Sequence, residues 1–202
     1  DDGFDTVNGG SGNDTTWGGA FNDVVYGNQQ DDVVYGNQFN DTLFGGQDDD
    51  TVYGGQDDDI VYGNRGDDVL NGNYGADTLY GGDGADTVNG SEDDDLLYGN
   101  LDADRLSGGT GDDTLFGGAG ADTFGVGAGD GAEIIGDFSG AEDDRIEIAA
   151  NLNGTSINSL AELQAVARDF DGNVIFHLGY GNSLILIGVQ TTDLQSAWFG
   201  FS

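Results

Sequence analysis

Aspartate recurs every nine residues along this chain of 202 residues: Asp5, Asp14, Asp23, Asp32, Asp41, Asp50, Asp59, Asp68, Asp77, Asp86, Asp95, Asp104, Asp113 and Asp122, fourteen positions without a slip of register. A carboxylate set of this kind is chemistry for cations. The rest of the composition points the same way, with 39 acidic residues against four basic ones and a formal charge of −35. Such self-repulsion opposes a compact state unless counter-charge arrives. It also makes nucleic acid and anionic membrane poor partners. Acidic blocks by themselves usually mean disorder or a solvated face, so an ordered fold has to be argued from pattern.

The pattern extends to the neighbours of each Asp. Two residues after it stands an apolar or β-branched residue, from Val7, Thr16 and Val25 through to Leu115 and Phe124. Four residues after each of the first thirteen Asp stands a glycine: Gly9, Gly18, Gly27, Gly36, Gly45, Gly54, Gly63, Gly72, Gly81, Gly90, Gly99, Gly108 and Gly117. The residue after that glycine is always Gly, Asn or Ser. The unit Gly81-Gly82-Asp83-Gly84-Ala85-Asp86-Thr87-Val88-Asn89 reads G-G-x-G-x-D-x-U-x in full, and so do the units beginning at Gly9, Gly108 and Gly117. Over residues 1 to about 125 the chain therefore resembles the RTX (repeats-in-toxin) family of calcium-binding nonapeptide repeats.

The resemblance implies an all-β fold, a right-handed parallel β-roll in which two repeats, eighteen residues, make one turn. Physical reasoning agrees. An x-U-x stretch gives a three-residue strand, and Gly or Asn at fixed offsets supplies the positive φ that a tight turn needs. Side chains alternate across a strand, so U points inward and its neighbours outward. With strands stacking at about 4.8 Å, seven turns span roughly 34 Å.

Stacking brings carboxylates of successive turns together. Unpaired, they would repel and shift upward in pKa; a hard dication with oxygen ligands resolves this. Calcium accepts six to eight flexible oxygens, magnesium demands stricter octahedral geometry, and zinc lacks its usual ligands in a chain with no Cys and one His. The resemblance implies that Asp side chains and loop carbonyls, including those of the thirteen glycines, share each ion. One edge would use Asp14, Asp32, Asp50, Asp68, Asp86, Asp104 and Asp122; the other Asp23, Asp41, Asp59, Asp77, Asp95 and Asp113. The gaps give at most eleven ions, six plus five, which would bring −35 to −13 (−35 + 22). The fourth loop position departs from Gly at Phe21, Gln30, Phe39, Asp48, Asp57, Asp93 and Asp102. Phe21 and Phe39 fall on one edge, so the Asp23/Asp41 gap is expected to be the weakest site, empty if the two rings pack together.

The residue after U, read every eighteen, gives an aromatic row on one face: Tyr26, Phe44, Tyr62, Tyr80, Tyr98 and Phe116. The other face begins Trp17, Tyr35, Tyr53 and turns polar at Asn71, Asn89 and Ser107. The first row is expected to stabilise the sheet or to serve as a contact surface for another copy or a glycan.

Beyond Phe124 the period stops, and residues 126–202 are expected to form a mainly-β cap. Ile134-Ile135 and Ile146-Glu147-Ile148 read as strands. Ser159 to Glu162 is a capping box opening one short helix to about Arg168. Val174 to Leu178 and Leu184 to Ile187 read as a hairpin through Gly179-Tyr180-Gly181-Asn182, with His177 facing solvent. This stretch is similar to the C-terminal segment of serralysin-type and other type I-secreted exoproteins. That likeness implies a cap on the open end of the roll and an uncleaved secretion signal closing at Ala197 to Ser202, hence the type I secretion machinery as partner and a bacterial extracellular or cell-surface location. With no Met and an opening Asp1-Asp2-Gly3-Phe4 like the tail of an earlier repeat, the chain reads as part of a longer protein. No apolar transmembrane span is present. Neither H-E-x-x-H, G-x-S-x-G nor a P-loop occurs, so the chain reads as non-catalytic. Two functions fit: the C-terminal part of a surface-layer, adhesin or other extracellular assembly protein, or an export, folding or glycan-binding accessory domain of a secreted protease, lipase or alginate epimerase.

Overall fold

The computed structural model describes residues 3–149, 152, 157–179 and 181–201; Asp1, Asp2, Tyr180 and Ser202 of the readings above lie outside them. The strands follow the repeat one for one. In chain order they are β1 (Thr6–Ser11), β2 (Thr15–Gly19), β3 (Val24–Gln29), β4 (Val33–Gln38), β5 (Thr42–Gln47), β6 (Thr51–Gln56), β7 (Ile60–Arg65), β8 (Val69–Tyr74), β9 (Thr78–Asp83), β10 (Thr87–Glu92), β11 (Leu96–Leu101), β12 (Arg105–Thr110), β13 (Thr114–Ala119) and β14 (Thr123–Val126). Odd strands form one parallel sheet and even strands another, so the chain crosses between sheets at every repeat. Partners lie eighteen residues apart, as in Val61↔Leu79 and Val52↔Leu70. This is the parallel β-roll that the period predicts.

The strands are longer than the three residues expected. Pairing continues past x-U-x into the first loop residues, as in Asn64↔Gly82 and Arg65↔Asp83, because identical loops stacked in register offer each other the same backbone groups. Inward positions behave as the alternation requires: Val25, Val34, Leu43, Val52, Val61, Leu70, Leu79, Leu97, Leu106 and Phe124 are 0% exposed. The positive φ demand is visible where glycine is absent. Phe21, Gln30, Phe39, Asp48, Asp57, Asp93 and Asp102 all hold φ between 69° and 80°, a region costly for L-residues.

The stack does not stop where the period does. β15 (Ala132–Ile135) pairs with β13 through Leu115↔Ile135, and β16 (Arg145–Ile148) pairs with β14 through Phe124↔Ile146. The offsets have grown to twenty and twenty-two residues, so loops lengthen while the sheets run on. Helix α1 (Leu160–Val166) starts at Ser159, whose Oγ accepts from the Glu162 N–H at 3.3 Å, while Glu162 Oε2 accepts from the Asn158 N–H at 2.9 Å. The helix ends before the expected Arg168, because residues 167–170 form β17 (Ala167–Phe170) against β18 (Asn173–Gly179). β18 and β19 (Asn182–Leu186) make the expected antiparallel hairpin, with His177 exposed. β19 joins β15 in parallel, and the last strand β20 (Phe199–Phe201) joins β16. Part of the segment read as a secretion signal, Phe199–Phe201, is therefore also a strand of the second sheet. Among the described residues, no helix is long and apolar enough to cross a membrane.

Candidate metal sites

Each phase-locked Asp ends a loop immediately before a strand, whose first residue is the outward one that precedes U. Alternation turns its side chain inward at the roll's edge, and twelve of them, Asp23 to Asp122, are at most 3% exposed. Their Oδ1 atoms have a fixed partner. Each accepts from the backbone N–H of the Asp one turn earlier: Asp32 from Asp14, Asp50 from Asp32, Asp68 from Asp50 and Asp86 from Asp68, all at 2.8 Å. The other column does the same, Asp41 from Asp23 and Asp59 from Asp41 at 2.7 Å, and Asp95 from Asp77 and Asp113 from Asp95 at 2.8 Å. The column thus ties turn to turn through side chain and backbone alike.

Oδ2 is the other half of the carboxylate, and it has no partner. This holds for Asp14, Asp23, Asp32, Asp41, Asp50, Asp59, Asp68, Asp77, Asp86, Asp95, Asp104, Asp113 and Asp122, each with Oδ2 buried and unbonded. Those thirteen are all of the fourteen that the nine-residue period singles out except the first, Asp5. An unpaired buried carboxylate oxygen is costly, and thirteen in one small protein amount to a demand for counter-charge.

The glycine four residues after each Asp explains what lies opposite. A Cβ on Gly27 would sit 2.6 Å from Asp32 Oδ2 and 2.6 Å from the carbonyl oxygen of Gly45 one turn on. At Gly45 the corresponding distances are 2.7 Å to Asp50 Oδ2 and 2.9 Å to Gly63 O. Glycine is required here for space: the missing side chain leaves a cradle in which an orphaned carboxylate oxygen and peptide oxygens converge. Among the described residues no three acidic or histidine side chains converge on one point, so a cation must draw the balance of its ligands from backbone carbonyls. Hard oxygen donors, some of them neutral carbonyls, fit calcium.

From Asp32 onward, burial raises the column carboxyls above their usual range. Asp41 and Asp122 are pushed up to about 6, Asp50, Asp77 and Asp86 to about 7, and Asp59, Asp68, Asp95 and Asp104 to about 8. Asp32 and Asp113 are raised too. Desolvation is the main cause and neighbouring carboxylates add to it, while the backbone N–H on Oδ1 pulls the other way.

At the Asp23/Asp41 gap, the rings of Phe21 and Phe39 stack with centroids 5.6 Å apart and planes 8° apart, as expected. The column itself is undisturbed there: Asp41 Oδ1 keeps its 2.7 Å bond to the Asp23 N–H. The aromatic row is a continuous stack. Tyr26, Phe44, Tyr62, Tyr80, Tyr98 and Phe116 follow one another at 4.8 to 5.1 Å with planes within 9°. Each ring shields the next, leaving the row half-buried. A groove of about 890 Å³ runs beside Tyr62, Tyr80, Tyr98 and Phe116, with Asn64, Arg65 and Asn100 along it.

Sequence reasoning missed two members of the columns. Asp144 is 3% exposed and takes the place after Asp122, accepting from its N–H at 3.0 Å. Glu133, 1% exposed, takes the place after Asp113. The signal was present out of phase: Asp144-Arg145-Ile146 and Glu133-Ile134-Ile135 keep the acid-x-U spacing after the nine-residue count is lost.

No curated protein matches the chain. Among solved structures, the extracellular lipase LipA from Serratia marcescens is similar over 81% of this chain at 16% identity and a TM-score of 0.41, and the chain spans 40% of that lipase's length. The family model of the RTX calcium-binding nonapeptide repeat matches residues 1–25, 8–43, 26–61, 35–70, 62–97 and 98–131 in overlapping copies. Period, roll and oxygen cradles meet in that match, and the chain belongs to the RTX family of calcium-binding repeat proteins.

Proposed function

We propose that this chain is a non-catalytic, calcium-folded module of an exported protein, with residues 1–125 as the ion-binding roll and 126–202 as its cap and type I secretion signal. The observation that carries the reading is the row of thirteen buried Oδ2 atoms without partners. The proposed ligands are those Asp and the carbonyls of Gly9 to Gly117 at nine-residue steps, two turns sharing each ion. At low cytosolic calcium the 39 carboxylates oppose collapse, leaving an extended chain suited to export. Outside the cell, sites of extracellular affinity, about 10⁻⁴–10⁻³ M, make binding free energy into folding free energy. Circular dichroism tests this: excess chelator should leave the repeat region mostly coil, and millimolar calcium should convert it to β. A β signal indifferent to chelator would overturn the reading.

The parent protein is, in this reading, an extracellular surface-layer, adhesin or assembly protein. The aromatic row and the groove beside it support a contact role, toward a second copy or a glycan, since a half-buried row of ring edges flanked by the amides of Asn64 and Asn100 offers apolar and polar contact side by side. Bound calcium would remove much of the repulsion between two such acidic surfaces.

A further inference from the structure

The two carboxylate columns end in different ways. In the column closed by Asp144, both oxygens are satisfied: Oδ1 accepts from the Asp122 N–H at 3.0 Å and Oδ2 from the Ser139 N–H at 2.7 Å. A backbone donor from the loop before β16 does there what a cation would otherwise do. The column closed by Glu133 has no such donor. Glu133 occupies the position after Asp113, because the Ile134 N–H donates to Asp113 O at 2.9 Å just as the Thr114 N–H donates to Asp95 O at 2.9 Å one turn earlier. Yet neither Oε1 nor Oε2 of Glu133 receives a hydrogen bond from a donor, and neither does the adjoining Oδ2 of Asp113; the two carboxyls lie within hydrogen-bonding reach of each other.

Nothing nearby offers relief. The next strand places Leu184 opposite Glu133 in register, and Leu184 is 0% exposed. Among the described residues the salt bridges are Arg65 with Asp83 and Arg105 with Glu147, so no arginine reaches the pair. Asp130, 8% exposed, adds a further negative charge beside them. Three carboxylate oxygens are thus buried without a donor at the seam between the last full repeat and the cap.

We propose that a calcium ion bridges Asp113 and Glu133, a site outside the nonapeptide pattern that pins β15, and through it β19, onto the end of the roll. The inference rests on the reading of the roll as calcium-binding and extends it to a ligand that no repeat supplies. One dication neutralises the two carboxylates; a single shared proton would leave the pair at −1 in an apolar seam. The site makes the docking of the cap respond to the same ion that orders the repeats.

The test counts ions on the full chain by native mass spectrometry and equilibrium dialysis, comparing the parent with Glu133→Gln and Asp68→Asn. Glu133→Gln keeps the shape and removes the charge; it should lose one calcium and dock the cap at a several-fold higher calcium midpoint, read by Trp198 fluorescence in a Trp17→Phe background. Asp68→Asn should lose ions from the repeats and leave the junction site. An unchanged count and midpoint in Glu133→Gln would overturn the bridge. If that variant does not fold, infrared spectroscopy of the calcium-loaded parent decides: no protonated-carboxyl band at neutral pH supports the bridge, and such a band overturns it in favour of a shared proton. A parent that binds no calcium would refute the reading of the roll; a parent that binds it with Glu133→Gln unaltered refutes the junction site alone.

Discussion

Replacing Asp68 by Asn should change stability in opposite directions with and without calcium. The Asn side chain keeps an oxygen for the Asp50 N–H, so the 2.8 Å tie between turns survives. What changes is charge. In the metal-free roll, burial pushes the Asp68 carboxyl up to about 8, against about 3.9 in an unfolded chain. The folded form binds the proton more tightly, so this group opposes folding above pH 4, increasingly so up to about pH 8, and ceases to oppose it in acid. At pH 7 the cost is about 4 kcal/mol by linkage, and roughly half that after screening near the loop edge. Asp68→Asn removes it, so the acid-induced coil-to-β transition of the chelated protein should move to higher pH. With calcium at ten times Kd, each site contributes about 1.4 kcal/mol, and Asp68 lies between the gaps to Asp50 and Asp86. The same variant should then lose one or two ions and about 1–3 kcal/mol in urea titrations. Asp67 is the control: its exposed carboxylate accepts from the Ala85 N–H, and Asp67→Ala should stay within about 0.5 kcal/mol with full stoichiometry. A loss of equal sign and size for Asp68→Asn in chelator and in calcium would refute the metal argument; equal ion loss in Asp67→Ala would show the wrong ligand position.

Gly27→Ala should cost about 2 kcal/mol or more in calcium and delete a neighbouring ion, since the new Cβ meets Asp32 Oδ2 and Gly45 O at 2.6 Å each; a stable variant with full stoichiometry would discount the cradle. Acidification should release calcium as the raised carboxyls protonate, with most of the loss between about pH 8 and 6 at calcium near Kd if the metal-free roll stays folded, and a midpoint nearer pH 4 under those conditions would mean that release is coupled to unfolding. Tyr62→Ser with Tyr80→Ser removes the Phe44–Tyr62, Tyr62–Tyr80 and Tyr80–Tyr98 contacts, at about 0.5–1.5 kcal/mol each. Calcium-dependent association in sedimentation should fall with it while ion stoichiometry holds, and a parent that stays monomeric in millimolar calcium would confine the row to holding the sheet together.

Most of the roll is legible in the sequence because its contacts are translations of one another. A fixed count of nine sets the register, the sheet assignment and the inward face together, so Val25 to Phe124 could be placed without coordinates. What the period does not carry is anything that needs a varying offset. Glu133 and Asp144 sit twenty and twenty-two residues after their predecessors, and a count in nines passes over both. The true strand length escaped for another reason: loop residues pair only because identical loops stack, a tertiary effect absent from any single repeat. Likewise α1 stops at Val166 because β18 claims Ala167 to Phe170 as a strand partner, which local helix preference cannot foresee.

The source of cohesion changes along the chain. In the repeats each nine residues bury one sizeable apolar side chain, a poor return for nine ordered residues. Ladder hydrogen bonds and ion binding must make up the difference, which is why calcium should govern order there. In the cap the apolar density rises. Ile135, Ile146, Ile148, Leu163, Phe176, Leu184 and Leu186 are all 0% exposed, with Phe138 and Phe199 also buried, and they continue the apolar core of the roll. Such a core can hold with fewer ions than the repeats need. A solenoid end that offers stacked, unpaired strands invites another chain, and here both sheets run on past the last repeat, through β15 and β19 in one and β16 and β20 in the other. Folding that begins at the cap would give the first turn of the roll a finished surface to stack on, so that each ion bound afterwards extends an existing edge rather than creating one.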